Sequence, residues 1–116
     1  MPRVLLIDDD REQLDVRALV ISHYQHIVDT ASNPADAKRA FEANHPDCIA
    51  MDLRLPTVDD GLDLIRTFRA APAFAGKIIV LSGFPQDLKD RPEAAMVDIV
   101  LTKPTRSEIL LACIEG

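Results

Sequence analysis

Five short apolar runs divide this chain into repeating units: Val4 to Ile7, His26 to Val28, Cys48 to Met51, Ile78 to Leu81 and Ile99 to Leu101. Each has strand length, and the stretches between them carry helical spacing. The chain therefore reads as α/β, with βαβ units, a parallel sheet and helices on both faces. Four of the five runs stop at side chains suited to phosphate or a hard cation: Asp8 and Asp9, Asp52, Ser82, and Lys103. A parallel sheet gathers the carboxyl ends of its strands along one edge, so these distant residues are expected in one crevice.

The helical stretches can be placed in turn. Leu14, Ala18 and Ile21 repeat at i, i+4, i+7, with Val16, Leu19 and Val20 widening the stripe, which predicts a helix over Arg11 to Tyr24. Asn33 and Pro34 form an N-cap with proline at the first helical position. Ala37, Ala40 and Phe41 supply that helix's buried face, and His45 and Pro46 end it. Leu62, Ile65, Phe68 and Arg69 continue the pattern after Gly61. Thr105 to Glu108 has the form of a capping box ahead of Ile109, Leu110, Leu111 and Ile114. Pro85 and Pro92 lie between Ser82 and the fifth strand, and an interior proline costs a helix about 3 kcal/mol or more. The fourth helix is expected to be short, starting near Pro92 or bent there.

Composition narrows the function classes. The 116 residues fit one domain, 1–116, long enough to bury a core without metal or disulfide staples. The net charge of −6 and the absence of Trp argue against phosphate-backbone binding and base stacking, so no direct nucleic-acid contact is expected. No segment approaches the roughly 18 to 20 apolar residues of a membrane span. The first apolar run ends in three aspartates rather than a cleavage site, so the chain is expected to be cytoplasmic. Cys48 and Cys113 fall in apolar stretches and read as buried thiols.

Taken singly, each chemical signal has a bland reading. An aspartate run after a strand makes a turn or caps a helix. Ser82 with Gly83 forms a turn, and Lys103 before Pro104 is a solvated charge. Together they differ, because three carboxylates at one edge repel each other unless a cation or a lysine is present. Mg²⁺ suits them, since it takes oxygen ligands and accepts a phosphoryl oxygen.

The segments VLLIDDD (Val4 to Asp10), CIAMDLRLP (Cys48 to Pro56), GLDLIR (Gly61 to Arg66), IIVLSG (Ile78 to Gly83) and LTKP (Leu101 to Pro104) together resemble the receiver domain of two-component response regulators. The resemblance implies a flavodoxin-like, doubly wound five-stranded sheet of order 2-1-3-4-5. It also implies that Asp52 accepts a phosphoryl group from a phosphohistidine. Asp9, Asp52 and the backbone carbonyl of Arg54 would bind Mg²⁺, with Asp8 acting through water. Ser82 and Lys103 would each hold a phosphoryl oxygen, and the Lys103–Pro104 peptide would be cis. The implied partners are a sensor histidine kinase or histidine phosphotransfer protein, a downstream effector, and a second copy in a homodimer. Glu12, Gln13, Val16 and Thr105 are the expected contacts for the phosphoryl donor.

Against the family pattern, Val100 replaces a common aromatic, Thr105 a common Phe, and the turn from Pro56 to Gly61 is one residue longer. Two rival readings use the same residues. One is a haloacid-dehalogenase-like phosphatase built on Asp8 and Asp10. The other is an unphosphorylated receiver that serves only as a binding surface.

Overall fold

Five parallel strands in the order 2-1-3-4-5 form one sheet in the computed structural model, which describes residues 2–116. They are β1 (Arg3–Ile7), β2 (Ile27–Ala31), β3 (Cys48–Asp52), β4 (Lys77–Ser82) and β5 (Ile99–Thr102). The helices are α1 (Arg11–His23), α2 (Pro34–Asn44), α3 (Val58–Ala70) and α4 (Ser107–Glu115). Side chains alternate across each strand, so one strand feeds two cores. Leu5, Ile7, Ile49, Met51, Ile78 and Val80 face α2 and α3, while Val4, Leu6, Cys48, Ala50, Ile79 and Leu81 face α1 and α4. The expected flavodoxin-like topology is therefore the observed one.

Register fixes where the functional residues arrive. Met51 pairs with both Ile7 and Val80, and Asp52 pairs with Leu81. Asp8, Asp52 and Ser82 consequently leave three adjacent strands at nearly the same level. Lys103 joins them from β5, where its N–H donates to the Ser82 carbonyl at 2.8 Å.

Several local expectations are corrected. In α1, Val16 and Leu19 are 58% and 73% exposed, and Arg17 takes a buried place beside Leu14 and Ile21. β2 begins at Ile27 and runs to Ala31, past Asp29 and Thr30, because this edge strand is only partly covered and needs no continuous apolar run. α3 starts before Gly61, at Val58, with Thr57 and Asp60 forming a capping box. The expected fourth helix is replaced by two 3-10 turns, Pro85–Asp87 and Pro92–Met96, each opened by its proline. The Thr105 capping box is absent: Arg106 is the cap residue and makes no side-chain cap bond, while the Thr105 hydroxyl donates to the Thr102 carbonyl at 2.8 Å. The Asn33 cap, Pro34 at the first turn and the left-handed His45 that ends α2 are as the sequence indicates.

Candidate functional site

Asp8, Asp9 and Asp52 bring carboxylate oxygens within 4.8 Å of one another at the carboxyl edge of the sheet. Three such groups are stable together only with compensating charge, and two cations supply part of it. Lys103 Nζ donates to Asp52 Oδ2 at 2.9 Å and to Asp8 Oδ2 at 3.4 Å. Arg17 Nη1 donates to the same Asp8 oxygen at 2.6 Å, within a pair that is almost wholly buried. The other oxygen of Asp8 accepts from the Asp10 N–H at 2.9 Å.

The three consecutive aspartates have separate duties. Asp8 is buried at the end of β1, whereas Asp9 is exposed. Asp10 caps α1, its carboxylate accepting from the N–H groups of Glu12 and Gln13 at 3.1 and 3.3 Å. Asp10 is not part of the Asp8, Asp9 and Asp52 cluster, which speaks against a dehalogenase-like D-x-D pairing of Asp8 with Asp10. Desolvation raises the Asp9 pKa above its ordinary value, and the negative charges of Asp8 and Asp52 raise it further. The cluster thus disfavours the ionised form of Asp9, and an added cation would relieve this.

Ser82 is buried at the end of β4, and its Oγ accepts from the Phe84 N–H at 3.0 Å. The Arg54 side chain, for which the sequence suggested no role, reaches across to the loop after β4. Its guanidinium donates to Asp87 at 2.8 and 3.3 Å and lies 3.8 Å above the Phe84 ring. The Lys103–Pro104 peptide is cis as expected, and Leu55–Pro56 is cis as well.

The donor set fits Mg²⁺: it is all oxygen, anionic, and gathered where one carboxylate is destabilised by the others. Sequence reasoning missed Arg17. The available signal was its spacing, three residues after Leu14 and four before Ile21, which puts a charge on the apolar stripe. Cys48 and Cys113 are free thiols, Cys48 buried as expected but Cys113 only partly so, and burial pushes Cys48 up to about 11, so it stays protonated.

A groove of about 520 Å³ between the start of α1 and the loop after β5 runs up to Lys103, with Glu12, Gln13, Val16 and Thr105 on its walls. A larger cleft of about 730 Å³, lined by Phe41, Asp47 and Phe74, lies at the amino ends of β3 and β4 and contains none of the carboxylate cluster. No helix among the described residues is long and apolar enough to cross a membrane.

A family model for the response regulator receiver domain matches residues 4–115. The chain belongs to that family. Among curated relatives, this receiver domain is 31% identical to the transcriptional regulatory protein PdtaR of Mycobacterium tuberculosis over 120 residues, covering 99% of this chain and 56% of that protein. It is 38% identical to PrrA of the same organism over 71 residues, 60% of this chain and 29% of PrrA. The receiver domain thus spans between 29% and 56% of the length of these curated relatives. Its fold superposes with a TM-score of 0.85 on the receiver domain of Methylobacillus flagellatus, at 24% identity over 99% of this chain and 97% of that one. The same score, at 21% identity and the same coverage, is found for the response regulator TrrA of Thermotoga maritima in complex with Mg(2+)-BeF.

Proposed function

We propose that this receiver domain accepts a phosphoryl group from a phosphohistidine of a sensor kinase or histidine phosphotransfer protein onto Asp52. The observation that carries the reading is the convergence of Asp8, Asp9 and Asp52 at one sheet edge, with the Lys103 ammonium 2.9 Å from Asp52. A carboxylate oxygen of Asp52 forms the bond to phosphorus as the bond from phosphorus to the donor's imidazole nitrogen breaks, and the imidazole leaves with the electron pair. The transferring group spreads negative charge over its equatorial oxygens. Lys103, already held at Asp52, is placed to pair with one of them, and the Ser82 hydroxyl to donate to another.

Mg²⁺ held by Asp9, Asp52 and the Arg54 carbonyl, with Asp8 acting through water, would neutralise the carboxylates and the developing phosphoryl charge. The Mg(2+)-BeF complex of the Thermotoga relative supports this choice of cation. The groove beside Lys103 suits the donor, since a protein seated against Glu12, Gln13, Val16 and Thr105 would deliver its histidine to the cluster. Incubation with acetyl phosphate and Mg²⁺ is expected to add one phosphoryl group to the intact mass. Equal incorporation with a chelator would contradict the reading.

Metal binding should also appear as stability. A ligand that binds only the folded state adds about 2.7 kcal/mol at a hundredfold excess over its dissociation constant, so Mg²⁺ is expected to raise Tm. Asp9→Asn should raise the metal-free Tm at neutral pH and remove most of the Mg²⁺ increment. The sign follows from the raised pKa: such a group favours the folded state below its ordinary pKa and loses that contribution as pH rises through the folded value. At pH 7 ionised Asp9 is a burden that Asn lacks. An Asp9→Asn protein with an unchanged Mg²⁺ increment would remove Asp9 from the metal site.

Output is expected to leave through the loop after β4. If Ser82 moves toward a phosphoryl oxygen it pulls on the Phe84 N–H that its Oγ accepts from, and Phe84 in turn lies against Arg54, which holds Asp87. Val100, 44% exposed on β5, has no ring to bury. Amide exchange with and without beryllofluoride should change most from Gly83 to Asp90. Changes confined to β5 and α4 would overturn this route.

A further inference from the structure

Asp8 is the most heavily engaged of the three carboxylates. Its Oδ2 accepts from Arg17 at 2.6 Å and from Lys103 at 3.4 Å, and its Oδ1 from the Asp10 N–H at 2.9 Å. Arg17 is itself pinned, with Nη2 donating to Gln13 Oε1 at 3.0 Å. Buried in this way, its charge is weakly screened by salt and cannot swing out to solvent at small cost.

We infer that Arg17 is a built-in counter-cation that weakens Mg²⁺ binding before phosphorylation, so that the metal is held firmly only when a phosphoryl group is present. The inference rests on the proposed metal-assisted acceptor role of Asp52. With Asp8, Asp9 and Asp52 all ionised, their three charges against Lys103 and Arg17 give the metal-free pocket a single net negative charge. A bound dication makes it net positive. Replacing the Asp52 monoanion by a dianionic aspartyl phosphate brings the metal-loaded pocket to neutrality. Without Arg17, the unphosphorylated pocket would carry two net negative charges, which one Mg²⁺ would balance. Arg17 therefore acts as a positioning and charge-setting residue: it fixes Asp8 and moves the electrostatic optimum for metal to the phosphorylated state.

The test is calorimetric titration of Mg²⁺ into the unphosphorylated protein. Arg17→Met and Arg17→Gln remove the charge, and Gln keeps a hydrogen-bond donor for Asp8 should the Met variant not fold. Both are expected to bind Mg²⁺ about tenfold more tightly than wild type, the order produced by a nearby unit charge in a partly screened site. Arg17→Lys, which restores the charge, should return the affinity to within about twofold of wild type. Unchanged or weaker binding in the neutral variants, or equal tightening in Arg17→Lys, overturns the inference. Asp9→Asn separates the two levels of failure. If it abolishes binding while Arg17→Met leaves affinity unchanged, the metal site stands and only the role of Arg17 falls. If it binds like wild type, the metal reading falls and the inference with it.

Discussion

Asp52→Asn is expected to gain no phosphoryl group from acetyl phosphate under conditions that label the wild-type protein fully. Asn is close to isosteric, so the loss would reflect the missing nucleophile rather than a collapsed site, and Lys103 keeps Asp8 as a partner at 3.4 Å. The two remaining carboxylates are poor substitutes. Asp8 is 1% exposed with both oxygens engaged, and ionised Asp9 is disfavoured by desolvation and its neighbours. Thermal melting of the variant should show a folded protein. A folded Asp52→Asn protein that is labelled at the wild-type rate would place the acceptor elsewhere.

Gly61→Ala is expected to cost about 3 kcal/mol or more, although Ala is the better helix former by about 1 kcal/mol. Gly61 lies in the first turns of α3, and a Cβ there would sit 1.8 Å from the Leu53 carbonyl oxygen and 2.7 Å from its carbon. Both atoms are backbone and cannot rotate away. Leu53 follows Asp52 directly, so the forced shift would pass into Asp52 and the Arg54 carbonyl. A fall in Tm on the order of 10 °C is the expected result, with slower phosphorylation at temperatures where the variant is folded. A Gly61→Ala protein with wild-type Tm would show that α3 and this loop separate freely, contrary to the packing described.

The convergence of Asp8, Asp52, Ser82 and Lys103 at one edge is legible because strand ends are local events. An apolar run followed by Asp, Ser or Lys needs no tertiary information beyond the parallel sheet, and the register of Ile7, Met51 and Leu81 then does the assembly. The sequence is a poor guide where a residue's place depends on a distant partner. Arg17 is buried because Asp8 neutralises it, and with Arg17 inward, Val16 and Leu19 on the same helix turn outward. Thr105 has the sequence context of a cap, but its hydroxyl donates to the Thr102 carbonyl instead. Arg54 appeared only as a backbone ligand, since its pairing with Asp87 spans 33 positions of sequence. The region from Gly83 to Val97 was half legible: Pro85 and Pro92 announced the weakened helix, but not its replacement by two 3-10 turns.

Chemical mapping of the acceptor is the most direct test of the whole account. Borohydride reduces an acyl phosphate and converts the aspartate that carries it into homoserine, which peptide mass spectrometry locates. After treatment with acetyl phosphate and Mg²⁺, homoserine is predicted at position 52 alone, and nowhere when Mg²⁺ is chelated. Homoserine at position 8, 9 or 10, or none in a protein whose mass shows one phosphoryl group, would contradict the assignment of Asp52.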